Sequence, residues 1–282
     1  MPSVPSPSAL EARRAVAERL KELRIEAGLT GQQLAGACGW HKAKTSRLEN
    51  ARTPPSDDDI RAWCRACGAE EQVADLIAAS RSAESMYVEW KRKQRSGLQR
   101  LQASYNPLYR QTSRFRVYSP DIVPGFLQRP AYATALLSAI TAFRGIPDDV
   151  EQAVEARTAR SQVLYESHRS FSFLIEESVL RYRIGDRAAM SDQLNHLRSV
   201  MSLPTVSLGV IPFSDRRGIW PLEACYIYDD DLVQVELLNA EVSVRAPTEI
   251  ATYIRAFNEL RRAAVYGDRA RALIDSASEA FA

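Results

Sequence analysis

The chain has 282 residues, 45% hydrophobic and 26% charged, with a formal net charge of +2. That length suits a small domain plus a larger one, and the composition excludes disorder over the whole chain. The near-neutral balance leaves any affinity for nucleic acid to local clustering of basic residues. Residues 1–8 are rich in Pro and Ser and lack the apolar segment of a secretory leader, and no apolar run reaches the ~18–20 residues of a membrane span. A cytoplasmic protein with no membrane partner is therefore expected. Four cysteines, Cys38, Cys64, Cys67 and Cys225, are too few and too scattered for a disulfide framework. Cys64 and Cys67 form a CxxC, which admits a redox or metal reading, but no second pair or nearby His supplies the four ligands of a zinc site. A buried structural pair on a helix is the plainer reading, and neither metal nor cofactor is expected.

From Ala9 to Ala27, Val16, Leu20, Leu23 and Ala27 recur at the three-and-four spacing of an amphipathic helix, which Gly28 closes. Thr30 with Gln33 three residues on predicts a capping box for a short second helix, Gly31 to about Ala37, broken by Gly39. A third helix runs from about Lys42 to Leu48. Pro54 and Pro55 mark a loop, and Ser56 followed by Asp57, Asp58 and Asp59 makes an acidic helix start that suits the dipole. That fourth helix ends at Gly68, and a fifth spans about Glu70 to Ser80. Residues 1–82 thus read as an all-α domain of five helices. Residues 83–117 read as a helical connector, with one polar helix over 83–103 whose Lys91, Arg92, Lys93, Arg95 and Arg100 form either a solvated face or an auxiliary phosphate-contacting surface. Residues 118–282 read as an α+β domain. Helical patterns at 131–142, 148–165, 187–201 and 248–266 alternate with strand-like runs at 171–175, 206–212, 224–228 and 232–238.

The segment from Leu29 to Asn50 carries the functional signal. Leu34, Ala35 and Cys38 give the second helix an apolar side, Thr45 and Leu48 do so for the third, and Gly39 permits the tight turn between them. With those sides packed, the third helix projects Lys42, Ala43, Ser46 and Arg47 outward. Lys or Arg donates to guanine and a methyl suits thymine, so this face fits a major groove. Lys42, Lys44, Arg47 and Arg52 stand against Glu49 alone between His41 and Arg52, so phosphate attraction is built in.

The pattern Leu29, Thr30, Leu34, Ala35, Gly39, then Ser46-Arg47-Leu48-Glu49-Asn50, resembles the Xre-type helix-turn-helix domain. By that resemblance Thr30, Gln32 and Gln33 meet phosphate, while Lys42, Ala43 and Arg47 face base edges. Arg47 also has readings as a partner of Glu49-side neighbours or of a phosphate, His41 reads as a helix cap or a phosphate contact rather than a metal ligand, and His41, Lys44, Ser46 and Arg52 complete the phosphate set. Two positions depart from the family pattern: Gly31 stands where Gln is common, and Ala51 replaces the usual Gly after Asn50.

Further along, Phe115-Arg-Val-Tyr-Ser-Pro-Asp-Ile-Val-Pro-Gly-Phe-Leu-Gln128, Tyr132, Glu155-Ala-Arg157 and Arg160 are similar to a WhiJ-like, antitoxin-like family of actinobacterial regulators. The resemblance implies a transcriptional regulator, repressor or activator, often encoded beside a small protein partner. The main expectation is a homodimer on a double-stranded DNA operator, its C-terminal domain answering a small molecule or small protein. The alternative is an antitoxin-like protein that sequesters a small partner and regulates its own operon. Tyr118, Phe126, Tyr132, Trp220, Tyr226 and Tyr228 line either a cavity or a core, and no ligand-binding residue is assigned. Glu176-Glu177, Asp229-Asp230-Asp231, His168 and His196 offer acids and bases, but no nucleophile motif, phosphate loop or metal-spaced cluster accompanies them. The reading is not an enzyme.

Overall fold

The structure is a computed structural model that describes residues 7–82, 87–89, 93–94, 97–213 and 217–281. The chain divides into two compact units: residues 1–87 with 243–251, and residues 88–242 with 252–282.

The first unit contains five helices, α1 (Pro7–Glu26), α2 (Gly31–Ala37), α3 (Lys42–Glu49), α4 (Asp57–Cys67) and α5 (Val73–Ser82). Their boundaries follow local chemistry. Thr30 accepts from the Gln33 N–H while Gln33 accepts from the Thr30 N–H, and Ser56 with Asp59 repeats this capping box at α4. Gly28, Gly39 and Gly68 end helices with left-handed backbone, φ +68°, +69° and +66°. After α3 the same place is held by Ala51 at φ +53°. Its N–H donates to Leu48 O at 3.1 Å and the Arg52 N–H to Arg47 O at 2.9 Å, a Schellman closure without its glycine. Inside, Leu20, Leu23, Leu34, Leu48, Ile60 and Trp63 form one buried cluster. The Trp63 indole N–H is satisfied by Leu20 O at 2.8 Å, as a buried indole requires.

The second unit is α+β. Its elements in chain order are α6 (Leu98–Ser104), α7 (Asn106–Gln111), β2 (Arg114–Ser119), α8 (Pro130–Arg144), α9 (Val150–Arg160), β3 (Ser170–Glu176), α10 (Glu177–Arg181), α11 (Arg187–Val200), β4 (Val206–Ile211), β5 (Cys225–Tyr228), β6 (Leu232–Glu236) and β7 (Ala240–Val244). Two helices follow, α12 (Pro247–Ala263) and α13 (Gly267–Glu279); the end of β7 and the first turn of α12, residues 243–251, count with the first unit. The strands form a mixed sheet in the order β7-β6-β5-β2-β3-β4, with the short β1 (Tyr87–Glu89) beside β7. β2 runs parallel to β3 (Phe115 opposite Phe171) and antiparallel to β5 (Phe115 opposite Tyr228), and β3 runs parallel to β4. Parallel neighbours need crossovers. α8 and α9 supply the first, α10 and α11 the second. Phe115, Phe126, Phe171 and Phe173 pack with Leu194, Leu197 and Ile274 in the main core. The Phe115 and Phe171 rings stack at 4.5 Å. A separate cluster joins α6, α8 and α9 through Leu98, Leu101, Ala133, Leu137 and Ala153.

The expected helix over 83–103 is not continuous. Residues 87–89 form a strand and a helix runs over Leu98–Ser104, while 83–86, 90–92 and 95–96 lie outside the described residues. Gly97, at φ +93°, breaks the path, and the Asp149 carboxylate caps the new start by accepting from the N–H groups of Leu98 at 2.8 Å and Gln99 at 2.9 Å. A cap that distant in sequence has no local signature. The expected connector also gives up residues 114–117 to β2, the central strand, and a second C-terminal helix, α13, follows the one expected to be last.

Arg169 shows how the α7 turn is held. Its largely buried guanidinium donates to the carbonyls of Tyr109 (2.6 Å), Arg110 (3.2 Å) and Thr112, and to Glu166 Oε2 at 2.6 Å. Carbonyls at a helix end lack intrahelical donors; one planar fork satisfies three of them.

Candidate nucleic-acid interface

Successive positions 42, 43, 46, 47 and 50 share one face of α3 at helical spacing. Lys42, Ala43, Ser46, Arg47 and Asn50 are all exposed, while Thr45 and Leu48 on the opposite side are buried at 1% and 2% exposure. Among the described residues no carboxylate pairs with Lys42, Arg47 or Arg52. The outward cations are therefore neutralised by no carboxylate among the described residues.

The carboxylates of the region are turned elsewhere. Glu49 Oε1 accepts from Arg24 Nε at 2.5 Å, and Arg24 Nη1 also donates to Leu29 O at 2.7 Å. Lys44 lies apart from the other cations: Nζ donates to Asp59 Oδ1 at 2.5 Å and sits 4.4 Å from the centre of the Trp40 ring. Burial alone would raise the Asp59 carboxyl, but hydrogen bonds from Lys44 and Ser56 outweigh it and hold it below the usual carboxylate value. Lys44 thus ties α3 to α4.

At the start of α2, Thr30, Gln32 and Gln33 are exposed together. Thr30 and Gln33 already bond each other in the capping box, while the α2 N-terminus adds its partial positive charge. Gly31 is not forced by crowding: a Cβ there would meet only Thr45 Cγ2, at 3.8 Å. His41 is exposed at the N-cap of α3 and makes no side-chain cap bond, and Asn50 Nδ2 donates to Ser46 O at 2.7 Å. The structure therefore brings Lys42, Ala43, Ser46 and Arg47 onto one open surface and places Lys44 in an ion pair.

Other residues of chemical interest have structural partners. Burial pushes the Cys64 thiol up to about 11, and burial likewise raises Cys38 and Cys67. Such thiols are poor nucleophiles. Glu176 is held by Tyr118 Oη at 2.7 Å and by both Arg217 Nη atoms at 2.6 and 2.7 Å. Glu177 accepts from Arg181 and from the Phe213 N–H, Asp229 accepts from the Ser113 and Arg114 N–H groups, and Asp230 pairs with Arg114 and Arg116. Of the six aromatics noted in the sequence, Tyr118 and Tyr132 are core residues, Trp220 is 72% exposed, and Phe126, Tyr226 and Tyr228 line a cavity.

Fold and surface define a helix-turn-helix, DNA-binding regulator, and residues 15–77 match the pattern of a helix-turn-helix domain. Residues 104–276 match a domain of unknown function, DUF5753; the chain belongs to that family. No curated protein matches the chain. Among solved structures it is similar to TrmBL2, an archaeal chromatin protein described as showing a novel mode of DNA binding. The identity is 11% over 85% of this chain and 88% of that one, with a TM-score of 0.33, too distant to transfer a function. Among the described residues no helix is long and apolar enough to cross a membrane.

Proposed function

We propose that the protein is a sequence-specific transcriptional regulator of Xre type that reads an operator with α3. The observation that carries this is the exposed row Lys42, Ala43, Ser46 and Arg47, whose cations pair with no carboxylate among the described residues. Lys42 and Arg47 donate to base edges, Ala43 offers a methyl, and Ser46, His41, Arg52 and the α2 start, Thr30, Gln32 and Gln33, hold phosphates. Lys44, engaged by Asp59, supports the helix-turn-helix from within. One recognition helix has a small footprint, so two copies on half-sites about one DNA turn, ~34 Å, apart supply the affinity. The C-terminal domain, which holds a polar cavity, answers a small ligand.

The test is operator binding by the full chain, using sites recovered by chromatin immunoprecipitation and sequencing. Replacing both Lys42 and Arg47 by Ala is expected to abolish specific binding with an unchanged circular dichroism spectrum. Undiminished binding of the double variant to those sites would remove α3 from the role of reading helix.

A further inference from the structure

A cavity of about 100 Å³ lies within the second unit, between α6, α8 and α9, the Gly125–Leu127 turn and strands β5 and β6. Its lining is charged in an unbalanced way: Arg144, Arg157 and Arg160 face it with Glu236 as the single carboxylate among the lining residues. Arg157 and Arg160 stand three residues apart on α9, so both point to the same side. Arg160 Nη2 and Arg157 Nη1 lie 3.8 and 3.9 Å from one point, the place a Cβ would take at Gly125. Two guanidiniums thus converge on a space kept open by a missing side chain.

Among the described residues neither makes an ion pair with a carboxylate, and the Glu236 charge acts on Arg157 only at longer range. Arg157 donates to Gln102 Oε1 at 3.3 Å and to Gln128 Oε1, and Arg160 donates to Gln102 O at 3.2 Å while its Cζ lies 5.3 and 5.0 Å from the Tyr105 and Tyr109 ring centres. These neutral contacts orient the guanidiniums and leave Nη2 of each without a protein acceptor among the described residues. Burial, with Arg160 beside it, lowers the Arg157 pKa. Among the described residues Glu236 makes no side-chain hydrogen bond; desolvation and then the Glu241 charge raise its carboxyl, with the Arg157 and Arg144 charges opposing. Arg157 and Arg160 are half-buried and Glu236 is exposed; a charge drawn partly out of water favours a partner of opposite sign.

We infer that the cavity binds a small organic acid of three or four carbons, its carboxylate held by Arg157 and Arg160 and a hydroxyl or ammonium on the same molecule donating to Glu236. Paired guanidinium forks match a carboxylate. The size follows from volume, since a 150 Å³ cavity of known occupancy holds the six carbons of benzene. This inference deepens the ligand-answering part of the proposed function and is independent of how α3 reads DNA.

The experiment is thermal denaturation and calorimetric titration of the full chain, without DNA, against lactate, serine, propionate and inorganic phosphate at matched ionic strength. Lactate or serine is expected to raise Tm saturably, by about 3 °C at ten times its Kd, and to bind more tightly than propionate, which lacks the second donor. The gain is expected to vanish in Arg157→Gln/Arg160→Gln and in Gly125→Val, which fills the space with both charges retained. Glu236→Gln is expected to narrow the preference over propionate. No saturable effect of lactate or serine, an effect that survives both the double variant and Gly125→Val, or tighter binding of phosphate than of either acid would overturn the assignment. Saturable binding that leaves operator affinity unchanged would keep the site and refute the ligand-answering reading alone.

Discussion

Arg24 and Glu49 meet with Nε 2.5 Å from Oε1, each side chain only 14% exposed, and the same guanidinium reaches Leu29 O. One side chain of α1 therefore fixes both the turn before α2 and the last turn of α3. Losing one member of a fully buried pair costs ~3–5 kcal/mol, and the partial exposure here scales that to about 2–3 kcal/mol. Arg24→Ala is expected to lower the urea midpoint of the helical unit accordingly. Arg24→Lys is expected to recover only part of it, because a lysine has no fork to serve Glu49 and Leu29 together.

Ala51 occupies left-handed backbone at φ +53°. A Cβ there costs about 1–2 kcal/mol, partly offset when glycine adds entropy to the unfolded chain. Ala51→Gly is expected to stabilise the protein by about 0.5–1 kcal/mol, read as a higher urea midpoint with an unchanged m-value. Destabilisation would mean that the Schellman closure after α3 is strained by something other than its side chain.

The cations of α3 and its flank should separate by salt dependence. Each phosphate contact contributes about −0.9 to the slope of log K against log salt. Arg52→Ala is expected to shallow that slope by about 0.9, whereas Lys44→Ala, whose charge already faces Asp59, is expected to leave the slope unchanged and to lower stability. Equal slopes for the two variants would contradict the distinction drawn between them.

His196, half-buried on α11, has a lowered pKa, first from burial and then from the nearby Arg129 charge, with Asp192 opposing. The folded state therefore binds its proton less readily than the unfolded state, whose imidazole titrates near the ordinary ~6.5. Stability contributed by neutral His196 is full above that value and declines as pH falls through the lower folded pKa. Urea midpoints are expected to drop between pH 7.5 and pH 5.5, and His196→Gln is expected to flatten that drop.

Sequence carried the helix-turn-helix unit almost completely, because its signals are local: Thr30 with Gln33, Ser56 with Asp59, and glycines 28, 39 and 68 each act within one turn of chain. Even the anomaly at Ala51 was visible as a missing glycine. The C-terminal unit was legible where apolar runs are short and bounded, as at β3 and β4. It was not where the deciding partner is remote. β2 lies at the end of the expected connector, and its pairing is with strands more than 50 residues away, Phe115 opposite Phe171 and Tyr228. α13 buries only Ala270, Ile274 and Ala277, too faint a stripe to stand out. The cavity is assembled from α6, α8, α9, β5, β6 and the Gly125 turn, and apart from the β5–β6 hairpin these walls come from distant parts of the chain.

The central place of β2 bears on how the protein is made. Its Phe115 lies opposite Phe171 on one side and Tyr228 on the other. As the chain leaves the ribosome, both edges of this aromatic-rich strand stay open until β3 and then β5 emerge. Exposed edges of that kind invite pairing between nascent chains. Fragments that stop between β3 and β5 should therefore accumulate as aggregates, and slower translation through residues 120–228 should lengthen the interval in which the full chain depends on chaperones.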